Sequence, residues 1–269
     1  MQPLPETQHA PLFDICVNLM NGQFNADREA IIERAEAAGV MYQMITATCL
    51  ESAREALAHT ASPTRFCTAG IHPHDIGSAA PDWRRSLAKL AEHEHVRAIG
   101  ETGLDFNRNY SPRETQIEGF AHQIELAQTL NKPLFVHDRE SDGEVLNTLI
   151  QAGNLPNVVI HCFTGTREEL FNYLDADFYI GVTGWVCDER RGHELRELVP
   201  HIPLERLMIE TDAPFLRPHN APPGEGRTKR RNEPALLPYV LQQIASLYGL
   251  PEEEVANATT ANARRFFGV

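Results

Sequence analysis

Short apolar runs alternate with amphipathic stretches along nearly the whole chain. The runs are "LFDICVNL" (12–19), "YQMITATC" (42–49), "RFCTAGIHPH" (65–74), "VRAIGETGLD" (96–105), "PLFVHDR" (133–139), "NVVIHCF" (157–163), "FYIGVTGW" (178–185) and "LMIETDAPF" (207–215). They read as continuous apolar segments rather than strict alternations, as strands covered on both faces do. Between them lie segments with apolar residues at helical spacing. "NADREAIIERAEAAGV" has Asn25 as its expected N-cap, and "PDWRRSLAKLAEHE" has Pro81 in its first turn. "SPRETQIEGFAHQIELAQTLN" (111–131) has Ser111 as expected cap and Pro112 behind it. Further helices are expected in "ESAREALAHT", over about 142–152, in "TREELFNYL", in "DERRGHELRELV" and in "EPALLPYVLQQIASLYG". "PEEEVANATTANARRFFGV" supplies a closing helix beyond the last unit.

Eight strand–helix units predict an α/β fold with a parallel sheet and crossover helices. Eight units in a chain of 269 residues favour closure into a single (β/α)8 TIM barrel with an extra C-terminal helix. The expected domain spans 12–269, and residues 1–11, with three prolines, form a loose lead-in. An open doubly wound sheet is the competing architecture. The first strand is followed by no Gly-rich phosphate fingerprint, which counts against a dinucleotide-binding version of it.

Composition narrows the class. Lys and Arg number 24 against 37 Asp and Glu, a net charge of −13, so a uniformly basic nucleic-acid binder is excluded while a local basic patch is not. The five cysteines (Cys16, Cys49, Cys67, Cys162, Cys187) are scattered and form no CxxC pair, which fits a reducing compartment. The N-terminus has no basic and apolar leader, and no apolar run approaches the roughly 18 residues of a membrane helix. A cytoplasmic protein with no membrane association and no obligate protein partner is expected.

The ends of the apolar runs carry the chemistry. His72 and His74 follow the third run, Glu101 and Asp105 the fourth, His137 the fifth, His161 the sixth, Glu210 and Asp212 the eighth, and Asp14, Cys16 and Asn18 the first. In a (β/α)8 barrel the carboxyl ends of the strands gather the functional side chains. One histidine in an apolar run is ordinarily a hydrogen-bonded core residue. Repetition of a ligand-type side chain at equivalent places on several strands is not explained by packing. Imidazole with carboxylate suits zinc, manganese or iron, and carboxylate-rich versions accept magnesium. A carboxylate such as Glu101 could bridge two cations placed about 4 Å apart, the arrangement that serves in-line displacement at phosphorus.

The strings "AGIHPH", "IGETGLDF", "HCFTGT", "TGWVCDERRG", "IETDAP" and "RRNEP" together resemble the TatD family of metal-dependent deoxyribonucleases, over residues from about 12 to the C-terminus. "FDICVNL" and "TGWVCDERRG" resemble the subgroup that gives the family its name more than its paralogues. The resemblance implies a (β/α)8 fold and divalent-metal-dependent hydrolysis of phosphodiesters. It also implies 3′-to-5′ exonuclease action on single-stranded DNA, extending to RNA, and a part in DNA repair. It maps metal ligands onto Glu101, His137, His161 and Asp212, with Asp212 also as catalytic base, and substrate contacts onto His72 and His74.

One departure stands out. Most of the family that the chain resembles begins with an aspartate followed by a His-x-His pair, and here Cys16 and Asn18 take the two histidine positions. One cation held by Glu101, His137 and His161 is then expected, with a second, weaker one near Asp212 assembled with substrate phosphate. Magnesium is the expected metal for such a water-rich site, with manganese and zinc as alternatives.

On the substrate side, Arg227, Lys229, Arg230 and Arg231, with Arg108 and Arg139, are candidates to line a phosphate groove, and Trp185 is a candidate to stack an unpaired base. Phe163 is expected in the core, and Asn232 and Glu233 are expected to fasten the loop after strand eight. Two other classes stay open at this point. Barrels of this type also cleave amides and esters, including the ester of a mischarged aminoacyl-tRNA, although no lysine stands at a strand end here to carry a bridging carboxylate. A metal-binding chain that holds nucleic acid without turning it over is the non-enzymatic reading.

Overall fold

The structure is a computed structural model, and it describes residues 10–222 and 231–269. The strands are β1 (Leu12–Val17), β2 (Val40–Ile45), β3 (Arg65–Ala69), β4 (Val96–Asp105), β5 (Leu134–Arg139), β6 (Val158–Ile160), β7 (Tyr179–Val182) and β8 (Leu207–Ile209). The helices are α1 (Arg28–Ala37), α2 (Leu50–Ala58), α3 (Trp83–Ala91), α4 (Arg113–Leu130), α5 (Glu144–Ala152), α6 (Arg167–Asp175), α7 (His193–Leu198), α8 (Leu237–Tyr248) and α9 (Glu252–Phe267). The strands follow one another in a single sheet in the order β1 to β8. Val17 bridges Ala213 in the parallel sense, so the first and last strands also meet. This is the (β/α)8 barrel fold that the apolar periodicity predicts, with α9 as the extra helix.

By internal contacts the chain forms two compact units, one of Met1–Met44 with Ile180–Arg265 and the other of Ile45–Tyr179 with Phe266–Val269. In the second unit β3, β4, β5 and β6 pair in parallel, with Ala69 opposite Ile99, Gly103 opposite His137, and Val136 opposite Ile160. The register of β4 on β5 shifts between Ile99 and Thr102, around Glu101. Gly103 is required there: at φ +129° a Cβ would sit 1.9 Å from the His137 carbonyl oxygen, so a side chain would force β4 away from β5. In the first unit, Leu237, Val240, Leu241 and Ile244 of α8 are fully buried.

Several element ends differ from the sequence expectation. β1 stops at Val17 and β8 at Ile209, although the backbone beyond them stays bonded to the neighbouring strands, Asn18 N–H to the Ala213 carbonyl and Glu210 N–H to the Val182 carbonyl. Helix α1 begins after Asp27, and Asn25 instead accepts a bond from the Arg28 guanidinium. Ser111 does not cap α4: its hydroxyl donates to the His74 carbonyl at 3.0 Å and accepts from the Gly77 N–H at 2.9 Å. At Ser111 tertiary partners outcompete the local cap, and at Asn25 a side chain three residues on takes the oxygen that would have capped. Thr166 does cap α6, in a reciprocal box with Glu169.

Candidate metal centre

The second unit brings five of the expected site residues together. Glu101 is buried (5% exposed), and its Oε1 is the focus of three imidazoles: His161 Nε2 at 2.7 Å, His137 Nδ1 at 3.1 Å and His72 Nε2 at 3.2 Å. One carboxylate oxygen has two lone pairs in its plane and cannot satisfy three N–H donors well. Burial works against ionisation of Glu101, but His161, His72 and His137 outweigh it and hold the carboxyl well below its usual range. Such a set, one ionised carboxylate oxygen among imidazole nitrogens, fits a divalent cation.

Hydrogen bonds assign the imidazole tautomers. His72 Nδ1 accepts the His74 backbone N–H at 3.1 Å, which leaves the proton on Nε2, the nitrogen facing Glu101. Burial lowers the His72 pKa to about 4 against the pull of Glu101, so the ring is neutral and Nε2 is a donor. A protonated nitrogen is poorly suited to ligate a cation and well suited to contact an anionic oxygen. His137 lies between two carboxylates, with Nδ1 toward Glu101 and Nε2 at 3.5 Å from Asp105 Oδ2. Its burial opposes the charged form, yet Asp105 and Glu101 raise its pKa above the ordinary value.

Asp105 ends β4 beside this cluster. Its Oδ2 takes His74 Nε2 at 2.6 Å, and its Oδ1 accepts the Arg108 N–H at 2.8 Å. Burial raises its pKa, but the bonds from His137, His74 and the Arg108 backbone prevail and lower it. Two buried glutamines of α4 hold the backbone behind these groups. Gln116 Oε1 accepts the Asp105 N–H at 2.9 Å, and its Nε2 donates to the Asp105 carbonyl at 3.2 Å and the Ser111 carbonyl at 2.8 Å. Gln123 does the same for Ile71, the residue before His72, at 2.8 Å from its N–H and 3.0 Å from its carbonyl. The sequence reading gave neither glutamine a role; the one signal was a polar residue in the buried stripe of a helix.

Asp212 belongs to the first unit. It lies in the left-handed region (φ 52°), which aspartate tolerates better than most residues. Its Oδ1 receives Asn18 Nδ2 at 2.9 Å and Cys16 Sγ at 3.7 Å. Cys16 and Asn18, at the end of β1, thus hydrogen-bond this carboxylate. Asp14 is held by Thr211, whose hydroxyl donates at 2.6 Å and N–H at 2.9 Å, and by the Cys16 N–H at 3.2 Å. Burial nevertheless raises Asp14 to about 7.

The loop after β8 is fastened as expected. Asn232 Nδ2 donates to the Thr211 carbonyl at 2.9 Å, and Glu233 pairs with Arg34 at 2.6 Å. Arg231, a candidate for the phosphate groove, instead pairs with Asp27 at 2.8 Å and is largely buried. Arg227, Lys229 and Arg230 lie outside the described residues. Phe163 is in the core. The Arg191 guanidinium covers the Trp185 ring at 4.6 Å from its centroid.

A (β/α)8 fold with imidazoles and carboxylates gathered at the ends of its strands defines the class of metal-dependent hydrolases. The profile of the TatD related DNase family matches residues 13–268, and the chain belongs to that family. It is 48% identical over 261 residues to the 3′-5′ ssDNA/RNA exonuclease TatD of Pantoea ananatis, covering 96% of this chain and all of that one. It is 45% identical over 260 residues to the protein of the same name from Salmonella typhimurium, covering 96% and 99%. Among solved structures, a hydrolase TatD family protein from Entamoeba histolytica superposes with a TM-score of 0.88 at 27% identity, covering 96% of this chain and 99% of that one. Among the described residues, no helix is long and apolar enough to cross a membrane.

Proposed function

We propose that the protein is a divalent-metal-dependent nuclease that removes nucleotides from the 3′ end of single-stranded DNA, with RNA as a second substrate, and that residues 12–269 act as one catalytic domain. The observation that carries this reading is the convergence of three imidazoles on the buried, ionised Glu101, in a chain close to relatives named as exonucleases. Glu101, His137 and His161 would hold the cation. When bound, the cation makes water more acidic and offsets charge on a phosphate.

The protein's own groups do the rest. With a proton on Nε2, 3.5 Å from Asp105 Oδ2, the neutral His137 ring would offer its Nδ1 lone pair on the Glu101 side. His72 Nε2–H is aimed to donate to a phosphate oxygen, and His74, fixed by Asp105, offers its other ring nitrogen to the same group. Asp212 is assigned as second ligand and as acceptor of the proton from the attacking water, with Asn18 and Cys16 donating to it in the resting protein. As to the metal, a site completed by substrate phosphate and water favours magnesium, while the imidazoles around Glu101 favour manganese or zinc.

The test is hydrolysis of 5′-labelled and 3′-labelled single strands by pure protein with magnesium, manganese, zinc or chelator. A metal-dependent ladder shortening from the 3′ end, reduced at least about a thousandfold in Glu101→Gln, is expected. Absence of cleavage with every metal would overturn the reading and direct attention to amides and esters.

A further inference from the structure

We propose that Tyr110 is a stacking platform for an unpaired nucleobase of the strand being degraded, an inference that rests on the nuclease reading above. Tyr110 is 67% exposed, more than any other large hydrophobic side chain among the described residues. Its ring meets His74 edge-on with centroids 4.7 Å apart. His74 in turn lies 4.3 Å from the His72 ring, and His72 Nε2 is 3.2 Å from Glu101. Two rings therefore lead from the metal-type cluster to an open aromatic face, within reach of a base whose own phosphate sits at His72.

The exposure is not the accident of a loose loop. Arg108 N–H is bonded to Asp105 Oδ1, the Asn109 side chain donates to the Phe106 carbonyl, and Asn109 is left-handed at φ 49°. On the other side Ser111 is bonded to His74 and Gly77, and its carbonyl is held by Gln116. Tyr110 is thus flanked on both sides by residues fixed to the site, while its own ring stays in water. Each of the four bases has a π-face to stack there, which suits a sequence-tolerant enzyme.

The experiment measures kcat and KM of Tyr110→Ala, Tyr110→Phe and wild type on single strands that carry one abasic residue at successive positions from the 3′ end. On the intact strand Tyr110→Ala should raise KM roughly five- to a hundredfold, the loss of one base–aromatic stack, with the effect falling on KM rather than kcat. Tyr110→Phe should restore KM. At one position the abasic substrate should cost wild type the same factor and leave Tyr110→Ala no worse. A KM defect that stays the same on every abasic substrate would overturn the proposal, because the tyrosine would then act through His74. An unchanged KM would overturn it as well. Binding of the intact strand in chelator, where nothing is cleaved, separates the two readings. If wild type cleaves nothing but Tyr110→Ala still binds more weakly, the nuclease reading fails and the stacking stands. Equal binding there by both proteins would overturn the stacking.

Discussion

At the scale of single residues, the site is governed by where protons sit. The His137 imidazole must be neutral at Nδ1 to take a cation, yet Glu101 and Asp105 raise its pKa above the ordinary value. Proton and cation therefore compete. As pH falls through the raised pKa, more of the cation-free protein carries imidazolium at His137, so affinity should fall by about tenfold per pH unit for one displaced proton. Manganese titrations at pH 6, 7 and 8 check this, and an affinity independent of pH over that range would contradict it. Asp105→Asn removes a carboxylate that favours the imidazolium, so the onset of competition should move to lower pH. The same change loosens the ring, and affinity at pH 8 should fall by about 10- to 100-fold. A different kind of change is expected at Asn18, whose side chain donates to Asp212 at 2.9 Å. Asn18→Ala should leave manganese affinity at the Glu101 cluster within about threefold of wild type, because Glu101, His137 and His161 do not depend on it.

At the scale of elements, α4 links helix packing to site geometry. Gln116 and Gln123 are two turns apart on its buried face, each about 1% exposed, and each closes the N–H and carbonyl of one residue beside the site. Gln123→Leu would keep the volume but strand the Ile71 N–H and carbonyl away from water, at a cost of about 2–4 kcal/mol. Urea unfolding measures it. Gln128→Leu, in the same helix, removes bonds to Ala152 and Gly153 at the surface and should cost less than about 1 kcal/mol.

This contrast also marks what the chain discloses on its own. The alternation of apolar runs with helical spacing is enough for the (β/α)8 order, because most strands are covered on both faces and most helices show one apolar stripe. Glu101, His137 and His161 each end such a run, and the structure brings the two imidazoles onto the Glu101 carboxylate. Ser111 looks like a cap in the sequence because its tertiary partners, His74 and Gly77, are 37 and 34 residues away, whereas Asn25 loses that place to a local bond from Arg28. Gln116 and Gln123 are not legible in the sequence because a buried amide is defined by the backbone it serves, 11 residues away for Gln116 and 52 for Gln123. Arg231, a candidate for the phosphate groove by its place in a basic run, is instead an ion-pair partner of Asp27, a pairing that needs residues 204 apart to meet.

At the scale of the whole molecule, a cation held by the folded protein and not by the unfolded chain must stabilise the fold. Burying Glu101 has a cost that the imidazoles offset in the cation-free state, and a cation would offset it more fully. At a free concentration of 100 times the dissociation constant the gain is about 2.7 kcal/mol. For a chain of this size that corresponds to a rise in Tm of roughly 5–10 °C. The net charge of −13 provides a rival cause, because any divalent cation also screens an acidic surface. Glu101→Gln separates the two. It removes one negative charge and leaves the surface intact, so screening predicts nearly the same rise as in wild type, whereas site binding predicts that most of the rise disappears. Differential scanning calorimetry with manganese and with chelator, at matched ionic strength, should show a rise in wild type and less than about 2 °C in the variant. Equal rises in both proteins would mean that the cation acts on the surface and that Glu101 does not hold it.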